Sequence, residues 1–501
     1  MRPNWHTAGM GLAFAIFAGY SIWLWRFGID DAGISWRYAQ HLVAGNGLRW
    51  NVDGPVVEGY SNLLWVLILA AFHWLGAEIE LTSHVLGVII GGLNLLLIGR
   101  VCRRLSPESG YCWVPPLLVA LTPEWNMWGM SGLELSLFGT WLLLLVMALT
   151  SSPKPNGWLF SAGLCGLTLT RPEGVAVAIT ALFAWWLIPQ PVPFRRRIAD
   201  TMWPFLALVV TAGGLVLFRL WYYGYPLPNT IYAKFALNLP AWYQAVAFLE
   251  KGIPFWIAGL LVVWWGRKSP HLPIFLTIMF VVFAHTLMTT PSKQVMNFLH
   301  RYHMPFWPLL MLPLPALLTR LGGIRLIPAV VIAALMLWCV LGFSGVSKRR
   351  AIEAYAMTAQ RCVAEQLLEL PGRPTVALVD AGRILYWANL PGLDAWGLAD
   401  SALAHNGYSP YEVARRKPQV YVSSTDTLTW GLIEPSLGND KLMFQVPGFS
   451  ARYRLWRPCI PEGNPTRPTY GYAIMVDAEW AQSVGVRIPE RREFWPKRPP
   501  S

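Results

Sequence analysis

Charge is scarce in this sequence: of 501 residues only 13% are Asp, Glu, Lys or Arg, about half the share usual in soluble domains. With 54% hydrophobic residues and a mean hydropathy of +0.40, that scarcity excludes an ordinary cytosolic protein and a disordered one. Cysteine is rare too, six in all, too few for a disulfide-built scaffold. No phosphate-binding Gly-x-x-x-x-Gly-Lys loop, dinucleotide Gly-x-Gly-x-x-Gly fingerprint, Gly-x-Ser-x-Gly elbow or Cys-x-x-Cys pair occurs, which argues against nucleotide-driven chemistry. No repeat of the length used by solenoids or propellers recurs.

What is present points to a bilayer. Forty Lys and Arg stand against 27 Asp and Glu, a surplus of 13, and the hydropathy assigns that surplus to the inner face of a membrane rather than to nucleic acid, which is not expected as a partner. Twenty-eight Trp and 18 Tyr suit headgroup depth, where an apolar ring and a polar N–H or O–H are both satisfied. Apolar runs near the length needed to span hydrocarbon occur at 8–28, 80–99, 112–123, 132–150, 158–170, 174–189, 202–221, 253–266, 272–290, 304–319 and 326–345, giving about eleven transmembrane helices. The first reads as a retained helix with a cytoplasmic amino terminus, because Trp25, Arg26 and Phe27 replace a small-residue cleavage site. The further run 60–76 is placed in the interface: only then do Arg100, Arg103, Arg104, Arg195, Arg196 and Arg197 all fall inside. Lys154, Arg267, Lys268, Arg320 and Arg325 then also lie inside, and the odd number of spans puts the carboxyl end outside.

The expected organisation is thus a transmembrane domain over 1–345, with an external loop 29–79 carrying interfacial helices, a small extracytoplasmic α/β domain over 346–486, and a flexible tail over 487–501. The second domain is read from an Arg- and Glu-bearing helical stretch at 348–369 followed by short strand-like runs such as 375–379 and 420–423. It holds Cys362 and Cys459, which oxidising conditions would allow to pair; two unpaired buried thiols are the alternative.

The chemistry is concentrated on the outer side. Asp30 and Asp31 sit where the first membrane helix ends; adjacent acids beside a low-dielectric slab repel each other, so one of them can hold a proton more tightly and serve as a base toward a hydroxyl. Capping of an interfacial helix over 32–44 is the plainer reading of the same pair. Arg171 and Glu173 form an external turn, as a salt bridge or turned toward the carboxylates. After the proline-stiffened stretch 226–228, Asn229 can cap a helix, with Lys234 about a turn and a half on. Lys234 can hold a phosphate or snorkel to headgroups. Lys293, His300, Arg301 and His303 offer more cations on another outer loop. The histidines lack the companions of a zinc site, so no metal is expected, and no cofactor is called for; a divalent ion has no support in the residues. Outward acids and cations at a membrane surface fit a sugar donor whose phosphate is anchored by a polyprenyl lipid.

The stretches Asp30-Asp31-Ala32-x-Ile34-Ser35-x-Arg37-Tyr38-Ala39, Val57-Glu58-Gly59-Tyr60, Arg171-Pro172-Glu173-Gly174 and Pro228-Asn229-Thr230-x-Tyr232-Ala233-Lys234 together resemble the GT-C membrane glycosyltransferases. Within that superfamily the chain is most similar to the arabinofuranosyltransferases that add terminal arabinose to mycobacterial cell-wall arabinan and to the pilin arabinosyltransferases. Their tail is matched by Val379-Asp380-Ala381-Gly382, Tyr386 and the run from Leu393 to Asp400. The likeness runs from about 28 to 400 and departs from the usual pattern at Gly33 and Trp36. It implies an interfacial helix pair after the first span, an essential acid at Asp30 or Asp31, and donor-phosphate or substrate contacts at Arg37, Glu58, Tyr60, Arg171, Glu173, Asn229, Lys234, Arg301 and His303.

On this reading the protein is a multi-pass enzyme of a bacterial inner membrane with its site facing the periplasm. It would move a pentose, D-arabinofuranose, from a polyprenyl-phosphate donor to a hydroxyl of an envelope glycan or an exported protein such as pilin, with the exported domain presenting the acceptor. Three other readings stand beside it: hexose or aminopentose transfer on the same scaffold, for example to lipid A; a flippase or transporter for lipid-linked sugars; and a scaffold whose exported domain binds a partner. The two non-enzymatic readings predict mid-membrane coupling residues, or no need for acids and cations on several separate outer loops, and neither expectation fits the sequence.

Overall fold

The computed structural model describes residues 5–151, 154–189, 192–234, 242–267, 269–290, 297–323, 326–429, 432–435, 437–461 and 471–490. Lys268, Lys293, Arg325 and the tail from 491 lie outside them. Among the described residues, five helices are long and apolar enough to cross a membrane: Ile79–Leu105, Met202–Tyr222, Tyr243–Trp265, Met304–Leu321 and Leu326–Leu368. Shorter apolar helices cover Leu63–Trp74, Leu135–Leu149, Gly157–Thr170, Glu173–Leu187 and Leu272–Met288.

Local sequence explains where these elements differ from the apolar runs. The helix ending at Trp265 begins ten residues before the run at 253, because Glu250 and Lys251 interrupt the hydropathy but not the helix; Lys251 is neutralised by Glu124 at 2.7 Å. The run 304–319 is divided into short helices at its prolines, Pro305, Pro308, Pro313 and Pro315, which remove helical donors. Leu63–Trp74, within the run 60–76, has 12 residues and a length of about 18 Å, too short for roughly 30 Å of hydrocarbon.

The carboxyl-terminal region is built on a six-stranded mixed sheet: β1 (Val376–Leu378), β2 (Gly392–Asp394), β3 (Val420–Thr429), β4 (Leu432–Pro435), β5 (Tyr453–Cys459) and β6 (Gly471–Asp477), in the order β2-β1-β3-β6-β5 with β4 paired to β3. β1 runs parallel to β2 and β3, while β6 is antiparallel to β3 and β5. β1 and β6 are buried along their whole length because both sheet faces are covered. Side chains alternate: Val376, Leu378, Val422 and Ile474 join the core shared with the membrane helices, while Ala377, Tyr421 and Met475 form a second core with Leu403, Val413 and Phe449.

The helix Phe343–Leu368 packs Ala359, Val363 and Leu367 into the shared core. It carries the chain without a break through position 346, where composition suggested a domain boundary. A disulfide joins its Cys362 to Cys459 at the end of β5.

Candidate active site

The helix Asp30–Val43 follows the first helix, Trp5–Trp23, and buries residues 32–39 almost continuously. Asp30 and Asp31 occupy its first turn, where exposed N–H groups favour negative charge. Successive helical residues point about 100° apart, so the two carboxylates meet different surroundings.

Asp30 faces the carboxyl-terminal region. Its Oδ2 accepts from the backbone N–H of Gly382 at 2.8 Å and its Oδ1 from that of Arg383 at 2.9 Å. The contact needs glycine on both sides. A Cβ on Gly33 would lie 2.4 Å from the Arg383 nitrogen, and one on Gly382 would lie 1.9 Å from the Asp30 carbonyl oxygen; the departure from the family pattern at Gly33 is therefore a close-approach site. Burial, then the neighbouring Asp380, push the Asp30 carboxyl above the ordinary carboxylate range, against the pull of Arg383 and the two amides.

Asp31 faces cations. Arg301 Nη1 donates to its Oδ2 at 2.7 Å. Burial works against the charge, but Arg301 and Lys234 outweigh it and hold this carboxyl below its usual value. Arg301 is delivered by a left-handed kink: Leu299 and His300 have φ of 49° and 59°, each costing about 1–3 kcal/mol for a residue with a side chain.

Two adjoining cavities share Asp31, Ile34, Lys234 and Leu398. The smaller, about 40 Å³, is also lined by Arg301, Arg171, Tyr60 and Glu134. Glu134 orders it: its Oε1 accepts from Arg171 at 2.5 Å and its Oε2 from Asn62 at 2.7 Å, while Arg171 also reaches Glu173 at 2.5 Å. The Tyr60 hydroxyl pairs with that of Tyr223 at 3.1 Å. Lys234, the last residue of the short helix Asn229–Lys234, makes no hydrogen bond or ion pair among the described residues. The larger cavity, about 300 Å³, extends under the sheet past Asp30, Glu353, Gln360, Asp380, Asp394 and Trp396.

Asp30, Asp31, Tyr60, Arg171, Lys234 and Arg301 are thus brought together, and five expected contacts are not. Arg37 is fully buried and spends its guanidinium on the carbonyls of Trp50 at 2.8 Å, Leu390 at 2.7 Å and Leu385, facing neither cavity; it clamps the helix to the carboxyl-terminal region instead of meeting a phosphate. Glu58 is locked onto Arg219 at 2.9 Å, with burial raising its carboxyl to about 7 against that partner. Glu173 serves Arg171 from outside the pocket lining. Asn229 donates to the carbonyls of Gly397 and Leu398, both at 2.9 Å. His303 is buried against Phe248, ring centroids 4.4 Å apart, with Nε2 on Thr289 at 3.2 Å.

Glu134, Glu353, Gln360 and Arg383 were not expected at the site. Glu134 carried a signal, an acid at the head of the apolar run 132–150. Arg383 carried none: it is fully buried, reaching Glu353 at 3.3 Å and the Gly28 carbonyl at 3.2 Å.

The comparisons with known proteins bear on this arrangement. The family model described as a domain of unknown function (DUF8728) matches residues 350–475. A terminal β-(1→2)-arabinofuranosyltransferase of Mycobacterium tuberculosis is 28% identical over 264 residues, covering 48% of this chain and 39% of that protein; the chain thus spans about two fifths of the length of this curated relative. Among solved structures, ArnT from Cupriavidus metallidurans in the apo state aligns over 97% of this chain and 99% of its own, with a TM-score of 0.62 and 12% identity. The same protein bound to undecaprenyl phosphate aligns over 95% and 98%, at 0.56 and 13%. The chain shares its fold with ArnT. Within that fold, the paired acids at the start of the helix Asp30–Val43 and the cations around Asp31 line one connected space.

Proposed function

We propose that the chain is a glycosyltransferase that takes D-arabinofuranose from a polyprenyl-phosphate donor at the outer face of a bacterial inner membrane and passes it to a hydroxyl of an envelope glycan or an exported protein. The observation that carries this reading is the position of Asp31, where a cation-lined pocket opens into a wider cavity, 2.7 Å from Arg301 and with Lys234 lining both spaces. The donor's phosphate occupies the cationic side, and the acceptor enters from the wider one.

In the transfer, the acceptor O–H loses its proton to the Asp31 carboxylate as its oxygen bonds the anomeric carbon. The bond from that carbon to the phosphate oxygen breaks, and the lipid phosphate leaves with the electron pair. Negative charge grows on the leaving phosphate during this step, so Arg301 and Lys234 bind it more strongly in the transition state than in the ground state and lower the barrier. Arg171 is held rigidly by Glu134 and Glu173 and fixes the far wall of the pocket. Asp30, engaged by two backbone amides, positions the helix and leaves the proton transfer to Asp31.

ArnT is a fold neighbour that covers nearly the whole chain, and the arabinofuranosyl relative covers less of it; transfer of a different sugar from the same kind of donor is the second reading. One experiment separates the two. The full chain in lipid nanodiscs is given synthetic short-chain polyprenyl-phosphoryl arabinofuranose, or its hexose and aminopentose counterparts, with an arabinan oligosaccharide, and the product is read by mass spectrometry. A one-pentose gain that Asp31→Asn abolishes is expected. A gain only from another donor replaces the sugar, and transfer by Asp31→Asn at the wild-type rate overturns the assignment of the base.

A further inference from the structure

The transfer chemistry uses the junction at Asp31 and the cationic pocket, but it assigns nothing to the far end of the wider cavity. That end is walled by one stripe of the helix Phe343–Leu368, where Glu353, Ala356 and Gln360 follow each other at helical spacing, and by Asp380 just after β1. Tyr472 of β6 donates to Asp380 Oδ2 at 2.6 Å, and Gln360 Nε2 donates to the Tyr472 hydroxyl at 3.0 Å. The chain of bonds fixes both side chains in place.

One group in it is left over. Gln360 is 2% exposed, yet its Oε1 accepts no hydrogen bond among the described residues. A buried amide oxygen left without a donor costs about 1–3 kcal/mol, so its presence in a cavity wall calls for an explanation. Trp396, on the turn after β2, contributes an aromatic surface to the same cavity. The wall therefore offers carboxylate oxygens, one unfilled amide oxygen and an apolar ring, in about 300 Å³. Carboxylates and amide oxygens accept from hydroxyls, and the charge of Glu353 in the same wall is balanced by Arg349 at 2.5 Å. The ligand that fits is neutral, rich in hydroxyl donors and partly apolar.

We infer that this end of the cavity is the acceptor site, in which Asp380 and Gln360 accept hydrogen bonds from the hydroxyls of a neutral sugar residue lying against Trp396, so that its reactive hydroxyl reaches Asp31. The inference rests on the transferase reading above and names its acceptor as a neutral glycan. It also gives the carboxyl-terminal region a direct part in recognition.

The test uses the full chain in nanodiscs, with short-chain polyprenyl-phosphoryl arabinofuranose as donor and an octyl arabinofuranosyl disaccharide as acceptor, and measures KM for each substrate separately. Asp380→Asn and Trp396→Ala are expected to raise the acceptor KM at least tenfold while the donor KM stays within twofold. Gln360→Leu, which keeps the volume and removes the unfilled oxygen, is expected to raise it threefold or more; it carries the test if Asp380→Asn fails to fold. An unchanged acceptor KM in Gln360→Leu and Trp396→Ala, or a rise in donor KM of equal size, overturns the acceptor site while leaving the transferase reading intact. Wild-type protein that transfers none of the donor sugars to this disaccharide, and that shows no saturable binding of the disaccharide in calorimetry, overturns both.

Discussion

The two ends of the cavity are both crowded with charge, and they treat it in opposite ways. Around Asp31 opposite charges are interleaved, Arg301 on Asp31 and Arg171 between Glu134 and Glu173, and the cations hold the Asp31 carboxyl below its usual value. Around Asp30 burial and the like charge of Asp380 push the carboxyl up, against the pull of Arg383. Net charge alone would not separate the two regions. The pairing pattern does: it gives two residues adjacent in the chain opposite surroundings, which on the reading proposed above makes one a base and the other a positioning group.

The strongest way to break the comparison is to remove each charge in turn. Asp31→Asn is expected to lower kcat by about 10²–10⁴, the usual range for loss of a general base, whereas Asp30→Asn should lower kcat by less than tenfold at equal expression. Similar losses from both variants would erase the distinction.

The pH dependence should follow the same division. As a depressed carboxyl, Asp31 stays ionised to low pH, so the acid limb of kcat/KM should lie below the ordinary carboxyl value of about 3.9. Arg301→Gln should move that limb upward by about one to three units. Thermal stability should show the reverse sign at Asp30. Its raised folded-state pKa contributes stability that is complete below about pH 3.9 and is lost as pH rises through the folded value. In Asp30→Asn that part of the fall in melting temperature between pH 4 and 8 should disappear.

Two smaller effects test how the carboxyl-terminal region is held. Cys362→Ser is expected to destabilise it by about 2–5 kcal/mol, the common cost of losing a native disulfide, read as a lower unfolding midpoint that reductant reproduces in the wild type. Gly33→Ala should cost about 1–3 kcal/mol through overpacking against Arg383. A neutral Gly33→Ala would mean that the helix Asp30–Val43 and the Gly382 segment sit farther apart than described.

Much of the lining around Asp31 was legible in the sequence because charge is so rare there. Asp31, Arg171, Lys234 and Arg301 stand out against an apolar background, and a charge near hydrocarbon has to justify its desolvation. Arg37 and Glu58 were named by the resemblance and His303 by its outer loop, and all three are engaged by protein partners. Whether a buried charge meets a ligand or a protein partner depends on atoms distant in the chain, and Arg37 finds its carbonyls at Leu385 and Leu390. The apolar runs located most helices, but hydropathy could not see the helix begun before Glu250 or the breaks at Pro308 and Pro313. The far end of the wider cavity was less legible for a related reason: Asp380 stood in a matched stretch, but it meets Gln360 and Tyr472 only once the sheet has formed.

The helix Phe343–Leu368 has 26 residues and so is about 39 Å long. It continues from the apolar segment beginning at Leu326 and places Glu353 and Gln360 on the cavity wall before it ends in the core of the sheet. One rod thus joins the cavity wall to the core of the sheet, so the spacing of Glu353 and Gln360 along that wall is set by helix geometry and not by a loop.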